Sequence, residues 1–173
     1  NQKKSKLMQT KGQLMKSLHT AFSFAPPSIL SLTIYGEGEL KEDLVRYAEQ
    51  LGISEAVKFH GFSSEIHKIM AESAIYVSSS DYEGISNSML EALAIGIPVV
   101  CTDCPVGGAR MHIRDGRNGY LIPVGDADVM ADRMLALMED KKLGESFSKE
   151  SVKIREELTD DRIFGMWKAL LVR

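Results

Sequence analysis

The stretch AIYVSSSDYEGISNSMLEALAIGIPVVCTD, residues 74–103, decides the fold. It opens with an apolar run that ends in serines (74–80), the pattern of a strand entering a turn. Residues 88–96 carry apolar side chains at helical spacing, and IPVVCTD (97–103) is a second apolar strand. A strand, a helix and a strand in about 30 residues form a crossover unit, the connection that parallel strands require. Outward from it the pattern repeats. LTIYG (32–36), AVKFHG (56–61) and GYLIPV (119–124) read as strands, and 39–51, 64–73, 107–114 and 128–139 as helices. This order predicts an α/β fold, a doubly wound Rossmann-like parallel sheet flanked by helices. Two further helical patterns, 142–157 and 160–171, have no strand between them. These extra C-terminal helices must pack on the outside or reach across to another body. No repeat or linker divides residues 1–173, which read as a single domain.

Composition narrows the function classes. The apolar run from Ala92 to Cys101 is about half of the ~20 residues a membrane helix needs. The opening NQKKSKLMQTKG has no apolar signal core, and two cysteines do not make a secreted disulfide scaffold. A cytoplasmic protein is expected, at most peripheral at the inner face of the membrane. A net charge of −3 argues against a nucleic-acid partner. The sum hides an asymmetry: Lys3, Lys4, Lys6, Lys11 and Lys16 give residues 1–36 a charge of +5, leaving −8 for the rest. Such a patch suits a phosphate ligand, an anionic membrane surface or a partner domain, and a solvated terminus is the bland alternative.

In this fold ligands bind beyond the carboxyl ends of the strands, in loops 36–39, 60–63, 78–88, 101–109 and 123–127. Loop 36–39, GEGE, fails as a dinucleotide fingerprint, because Lys41 stands where a third glycine is needed and Glu37 and Glu39 repel a pyrophosphate. Loop 78–88, SSSDYEGISNS, is richer: small hydroxyl residues feed a helix whose free N–H groups suit a phosphate. Glu83 and Glu91 bracket it with seven residues between them, both able to face one concavity at the positive end of the helix. Carboxylates there match the paired hydroxyls of a sugar. A rival reading makes Ser88-Met-Leu-Glu91 a capping box, in which Glu91 only binds the N-cap amide.

Other motifs read as structure. Cys101-Thr-Asp-Cys104 ends an apolar strand instead of opening a helix and has no second ligand pair, so structural thiols are expected. Asp126-Ala-Asp128 precedes a helical pattern, where Asp126 is an N-cap and Asp128 complements the dipole; no metal is assigned. His19, His60, His67 and His112 show no ligand spacing and read as surface or packing residues. Met130, Met134 and Met138 fill one helix face.

The segment EGISNSMLEALAIGIPVVCTD, preceded by AIYVSSSDY and followed by GGARMHIRDGRNGYLIPVGD, resembles the donor-nucleotide domain of the group 1 (family four) retaining glycosyltransferases of the GT-B fold. The shared hallmark is E-x7-E, matched by Glu83 and Glu91, with the following E-A-x-A-x-G-x-P-V-V stretch. The resemblance covers roughly residues 6–172. It implies that Glu83 lies beside the donor hexose as the catalytic-site carboxylate, that Glu91 binds the ribose hydroxyls, and that the amides of Gly84, Ile85 and Ser86 hold sugar and diphosphate oxygens. KLMQTKG (6–12) matches a basic motif that grips the diphosphate; Lys11 agrees outright, and Lys6 replaces an arginine, turning a bidentate grip into a point charge. His60-Gly61-Phe62 falls where the family often places the base. Met111 stands where many relatives carry Glu, and TDCP-x-GGARM is similar to a subgroup handling N-acetylhexosamines.

The resemblance also implies a nucleotide-sugar donor, a glycan or lipid-linked acceptor, no cofactor or metal, and an N-terminal acceptor domain that 173 residues leave no room for. The chain, which begins without Met, is therefore expected to be a C-terminal donor-binding fragment, inactive alone. A stand-alone nucleotide-sugar binding module and a GT-B epimerase are the alternatives; the epimerase needs acid and base residues that the sequence does not reveal.

Overall fold

The computed structural model describes residues 14–21 and 30–171. The four lysines of the basic N-terminus before Lys16, Lys6 and Lys11 among them, lie outside the described residues. Helix α1 spans 14–21, followed by β1 (Leu32–Tyr35), α2 (Lys41–Gln50), a 3-10 turn (Ser54–Ala56), β2 (Val57–His60) and α3 (Ile66–Ala71). Next come β3 (Tyr76–Ser78), α4 (Asn87–Ile95), β4 (Val99–Thr102), α5 (Gly108–His112) and β5 (Gly119–Ile122). Four helices close the chain: α6 (Ala127–Glu139), α7 (Lys141–Ser151), α8 (Ile154–Glu157) and α9 (Asp160–Leu171).

Every strand pairing among the described residues is parallel, as the alternating order predicts. The ladders form two groups among the described residues, β1–β2 and β3–β4–β5. Leu32 pairs with Val57 in the first, and Val99 lies between Tyr76 and Gly119 in the second. The strands are shorter than the apolar runs suggest, for local reasons. Pro98 has no N–H to donate, and the 74–80 run stops pairing at Ser78, where the serines turn into loop.

Side chains along β4 alternate between two cores. Val100 joins a cluster with Met15 and Leu18 of α1, Leu44 of α2 and Met130 and Met134 of α6. Val99 and Cys101 point the other way, onto Met89, Ala92 and Leu93 of α4 and Ile154 of α8. All four residues of β4 are buried, so the strand is covered on both faces. Asp126 caps α6 as its sequence position predicts, its Oδ1 accepting from the Val129 N–H at 3.0 Å. Asp140 closes α6 and caps α7 through the Leu143 N–H.

The 142–157 pattern resolves into α7 and α8, both folded back onto the C-terminal end of α4. Ser148 Oγ donates to the Gly96 carbonyl and Arg155 Nε to the Ala94 carbonyl. Gly96 permits that end: at φ 97° it takes the left-handed cap conformation, and Ile97 N–H returns to the Ala92 carbonyl. Helix α9 differs, with no buried residue among its twelve.

Candidate functional site

The carboxyl ends of β3 and β4 open onto loop 79–86, the segment singled out above. Three contacts fix it. Thr102 Oγ1, buried at the end of β4, donates to the Ser80 carbonyl at 2.5 Å. Ser86 caps α4, its Oγ accepting from Met89 N–H at 3.4 Å, while Ser88 Oγ bridges Ser86 Oγ (3.1 Å) and Tyr76 OH (2.8 Å). Burial pushes the Tyr76 phenol up from its ordinary range, against the lowering effect of its bond to Ser88. Third, the start of α5 lies directly against the loop: a Cβ on Gly108 would stand 2.0 Å from the Gly84 carbonyl oxygen and 2.7 Å from Ile85 N. Only a glycine fits there.

A small recess results, lined by Ser80, Glu83, Gly84, Ser86, Thr102 and Ala109 among others. Glu83 is exposed on its rim, and Ile85 is exposed in the same loop. The fold therefore gathers Glu83, Gly84 and Ser86 at one recess. Glu91 does not line this recess. The capping-box reading also fails: α4 begins at Asn87 with Ser86 as its cap, so Glu91 is the fifth helical residue, past the amides a capping glutamate serves. The sequence SNS offers two hydroxyl caps two residues apart, and the one that wins takes Glu91 out of the first turn. Its carboxylate turns to α3, where His67 Nε2 stands 3.4 Å from Glu91 Oε2.

At the end of β2, the His60 ring stacks on Tyr35 with centroids 5.0 Å apart, and its carbonyl accepts from Gly36 N–H. His60 is thus engaged by the neighbouring strand. Gly61 and the 87% exposed Phe62 ring follow it and lead into α3. The loop 36–39 lies beside this end, with Glu37 Oε1 3.5 Å from where a Gly61 Cβ would be.

Cys101 and Cys104 are free and buried, and burial pushes the Cys101 thiol up to about 12, which keeps it protonated and unreactive. The loop after β4 is braced by Arg110, whose guanidinium grips both oxygens of Asp103. Within that loop Val106 holds φ 79°, a region costly for a β-branched residue. Met111 is 68% exposed on α5. Lys16 lines a separate open hollow with His19, Thr20 and the 123–128 turn. Among the described residues no three His, Cys, Asp or Glu side chains gather as a metal site, and no helix is long and apolar enough to cross a membrane.

Sequence reasoning missed three contributors. Gly108 gave only the signal of a Gly-Gly turn, and Thr102 that of a polar residue ending a buried strand. His67 gave none, because its contact with Glu91 joins residues on different helices.

Comparison with known proteins follows the same segment. The sequence model described as "Glycosyl transferases group 1" matches residues 15–153. The N-acetylgalactosamine-N,N'-diacetylbacillosaminyl-diphospho-undecaprenol 4-alpha-N-acetylgalactosaminyltransferase of Campylobacter jejuni is 35% identical over 131 residues, covering 76% of this chain and 35% of that protein. The poly(ribitol-phosphate) alpha-N-acetylglucosaminyltransferase of Staphylococcus aureus is 33% identical over 135 residues, 78% of this chain and 27% of that protein. Among solved structures, a mutant of TarM from S. aureus in complex with Fondaparinux, alpha-GlcNAc-glycerol and UDP superimposes with a TM-score of 0.85 at 28% identity, over 91% of this chain and 32% of that one. The chain thus spans about a third of the length of these relatives.

Proposed function

The chain belongs to the group 1 glycosyltransferases, and on that premise we propose that it is the donor-binding part of a retaining enzyme. That enzyme moves a hexosyl or N-acetylhexosaminyl unit from a nucleoside-diphosphate sugar to a glycan or lipid-linked acceptor. The observation that carries this reading is the loop 80–86 held rigid between Thr102, Gly108 and the Ser86 cap, with Glu83 on the rim of the recess.

In this reading Glu83 accepts from hydroxyls of the donor sugar, and the amides of Gly84, Ile85 and Ser86 meet sugar and phosphate oxygens at the positive end of α4. Glu91, released from capping, takes the ribose diol. The 60–62 segment offers backbone to the base, with the base against the exposed Phe62 ring. The bond from the anomeric carbon to the diphosphate breaks, the electron pair leaving with the phosphate oxygen. Lys11, Lys6 and the loop amides neutralise that charge while an acceptor hydroxyl approaches the same face. A domain N-terminal to this one supplies the acceptor, and contact with the membrane is peripheral. In this reading donor binding needs no metal, and Asp126 of the D-x-D pair serves as a helix cap.

Isothermal titration calorimetry tests this. UDP, the nucleotide in the TarM complex, binds the chain with or without EDTA, and no sugar transfer accompanies it. Glu83→Ala leaves UDP affinity within about twofold and weakens UDP-N-acetylglucosamine or UDP-glucose by about tenfold, the scale of a lost hydrogen bond to a charged group. Robust transfer by these 173 residues contradicts the two-domain reading. Equal loss of both ligands contradicts the role of Glu83.

A further inference from the structure

We propose that His67 is a positioning residue that fixes the Glu91 carboxylate for the donor ribose and thereby sets the preference for ribonucleotides over deoxyribonucleotides. The inference rests on the reading of Glu91 as the ribose ligand. Two observations carry it. Glu91 is the fifth residue of α4, and the cap is made by Ser86, which accepts from the Met89 amide, so the Glu91 carboxylate has no capping task. On the neighbouring helix, His67 Nε2 stands 3.4 Å from one of its oxygens, Oε2.

Both side chains keep solvent access, 64% for His67 and 41% for Glu91, so the pair is open to a ligand from outside. An exposed glutamate on a helix samples several rotamers and must surrender them when it grips a diol. A partner on α3 removes that freedom beforehand. The imidazole is a donor toward the carboxylate both as a cation and as its Nε2–H tautomer. At 3.4 Å it stands within ion-pair range of Oε2 and leaves Oε1 and the remaining lone pairs for hydroxyl donors.

The position of His67 adds a second consequence. It lies five residues after Phe62, on the helix that the 60–62 segment enters. The contact thus ties the candidate base segment to the candidate ribose carboxylate, across two helices that otherwise meet only through packing. A 2′-deoxyribose lacks one of the two hydroxyls and gains less from an oriented carboxylate. Preference between the sugars therefore reports on orientation and not on folding.

The test titrates UDP and 2′-deoxyuridine 5′-diphosphate into the 173-residue chain. The wild type prefers UDP, and Glu91→Ala abolishes the preference. His67→Ala reduces it about three- to fivefold, the upper range for an exposed ion pair, leaving affinity for the deoxynucleotide and the melting temperature unchanged. His67→Gln, which keeps a donor near the same point, restores most of the preference. The double variant is no worse than Glu91→Ala alone. If Glu91→Ala abolishes the preference and His67→Ala does not alter it, His67 has no positioning role and the ribose reading stands. Equal weakening of both nucleotides by His67→Ala, failure of Gln to restore the preference, or additivity in the double variant likewise overturns the proposal. Absence of any preference in the wild type, or its survival in Glu91→Ala, overturns the ribose reading and the role of His67 together.

Discussion

Helices α4 and α9 are both rich in apolar residues, yet they meet opposite fates. In α4, Met89, Ala92 and Leu93 are at most 1% exposed, the N-terminus is capped by Ser86, and the C-terminus is closed by Gly96 and held by Ser148 and Arg155. In α9, Phe164, Met166, Trp167, Leu170 and Leu171 are 61–78% exposed. Apolar spacing predicts that a helix has a face to bury; it does not say against what. The partners of α4 all lie within the described residues, so the site at its N-terminus is held rigid by this chain alone. Those of α9 do not.

The largest test of that contrast is truncation in the two helices. Leu93→Ala removes a fully buried side chain under β4 and is expected to cost about 2–5 kcal/mol in urea unfolding. Leu170→Ala in α9 is expected to stay within about 0.5 kcal/mol. Similar losses at both positions would mean that α9 is packed in solution.

Next in size is Gly108→Ala, where the new methyl meets the Gly84 carbonyl and the backbone must move. It is expected to cost about 1–3 kcal/mol, the range for overpacking, and to weaken UDP binding as well. Loss of stability with binding intact would separate the loop from the site. Ser86→Ala removes the cap of α4 and is expected to cost about 1 kcal/mol, with a matching fall in melting temperature.

Val106→Gly runs the other way. It relieves a positive φ at an exposed position and is expected to raise stability by up to about 1 kcal/mol, read from the urea midpoint. A separate effect, confined to alkaline pH, runs through Cys101. The unfolded thiol releases its proton near the ordinary value of 9.0, while the buried one holds it to about 12, so stability falls as pH rises through that window. Cys101→Ala removes this contribution, which pH-dependent urea melts of the two proteins resolve.

The crossover order and the burial of both faces of β4 were legible in sequence because they follow from short-range alternation, as was the cap at Asp126. The start of α4 was not: Ser86 and Ser88 are equally good caps locally, and the choice between them depends on Ser88 bonding to Tyr76 in the adjacent strand. That choice decides whether Glu91 caps a helix or turns to His67 on α3. Glu83, Gly84 and Ser86 share one recess because they lie within four residues of a single loop. Gly108, Thr102 and His67 were invisible as contributors, since each acts through a contact with a residue at least 22 positions away.

Backbone amide NMR during a UDP titration tests the central claim most directly, since it reports on both helices at once. The account predicts that the amides of Gly84, Ile85, Ser86 and Glu91 shift in a saturable manner while the Trp167 indole and the amides of α9 do not move. Saturable shifts confined to α9, with residues 84–91 unchanged, would contradict it.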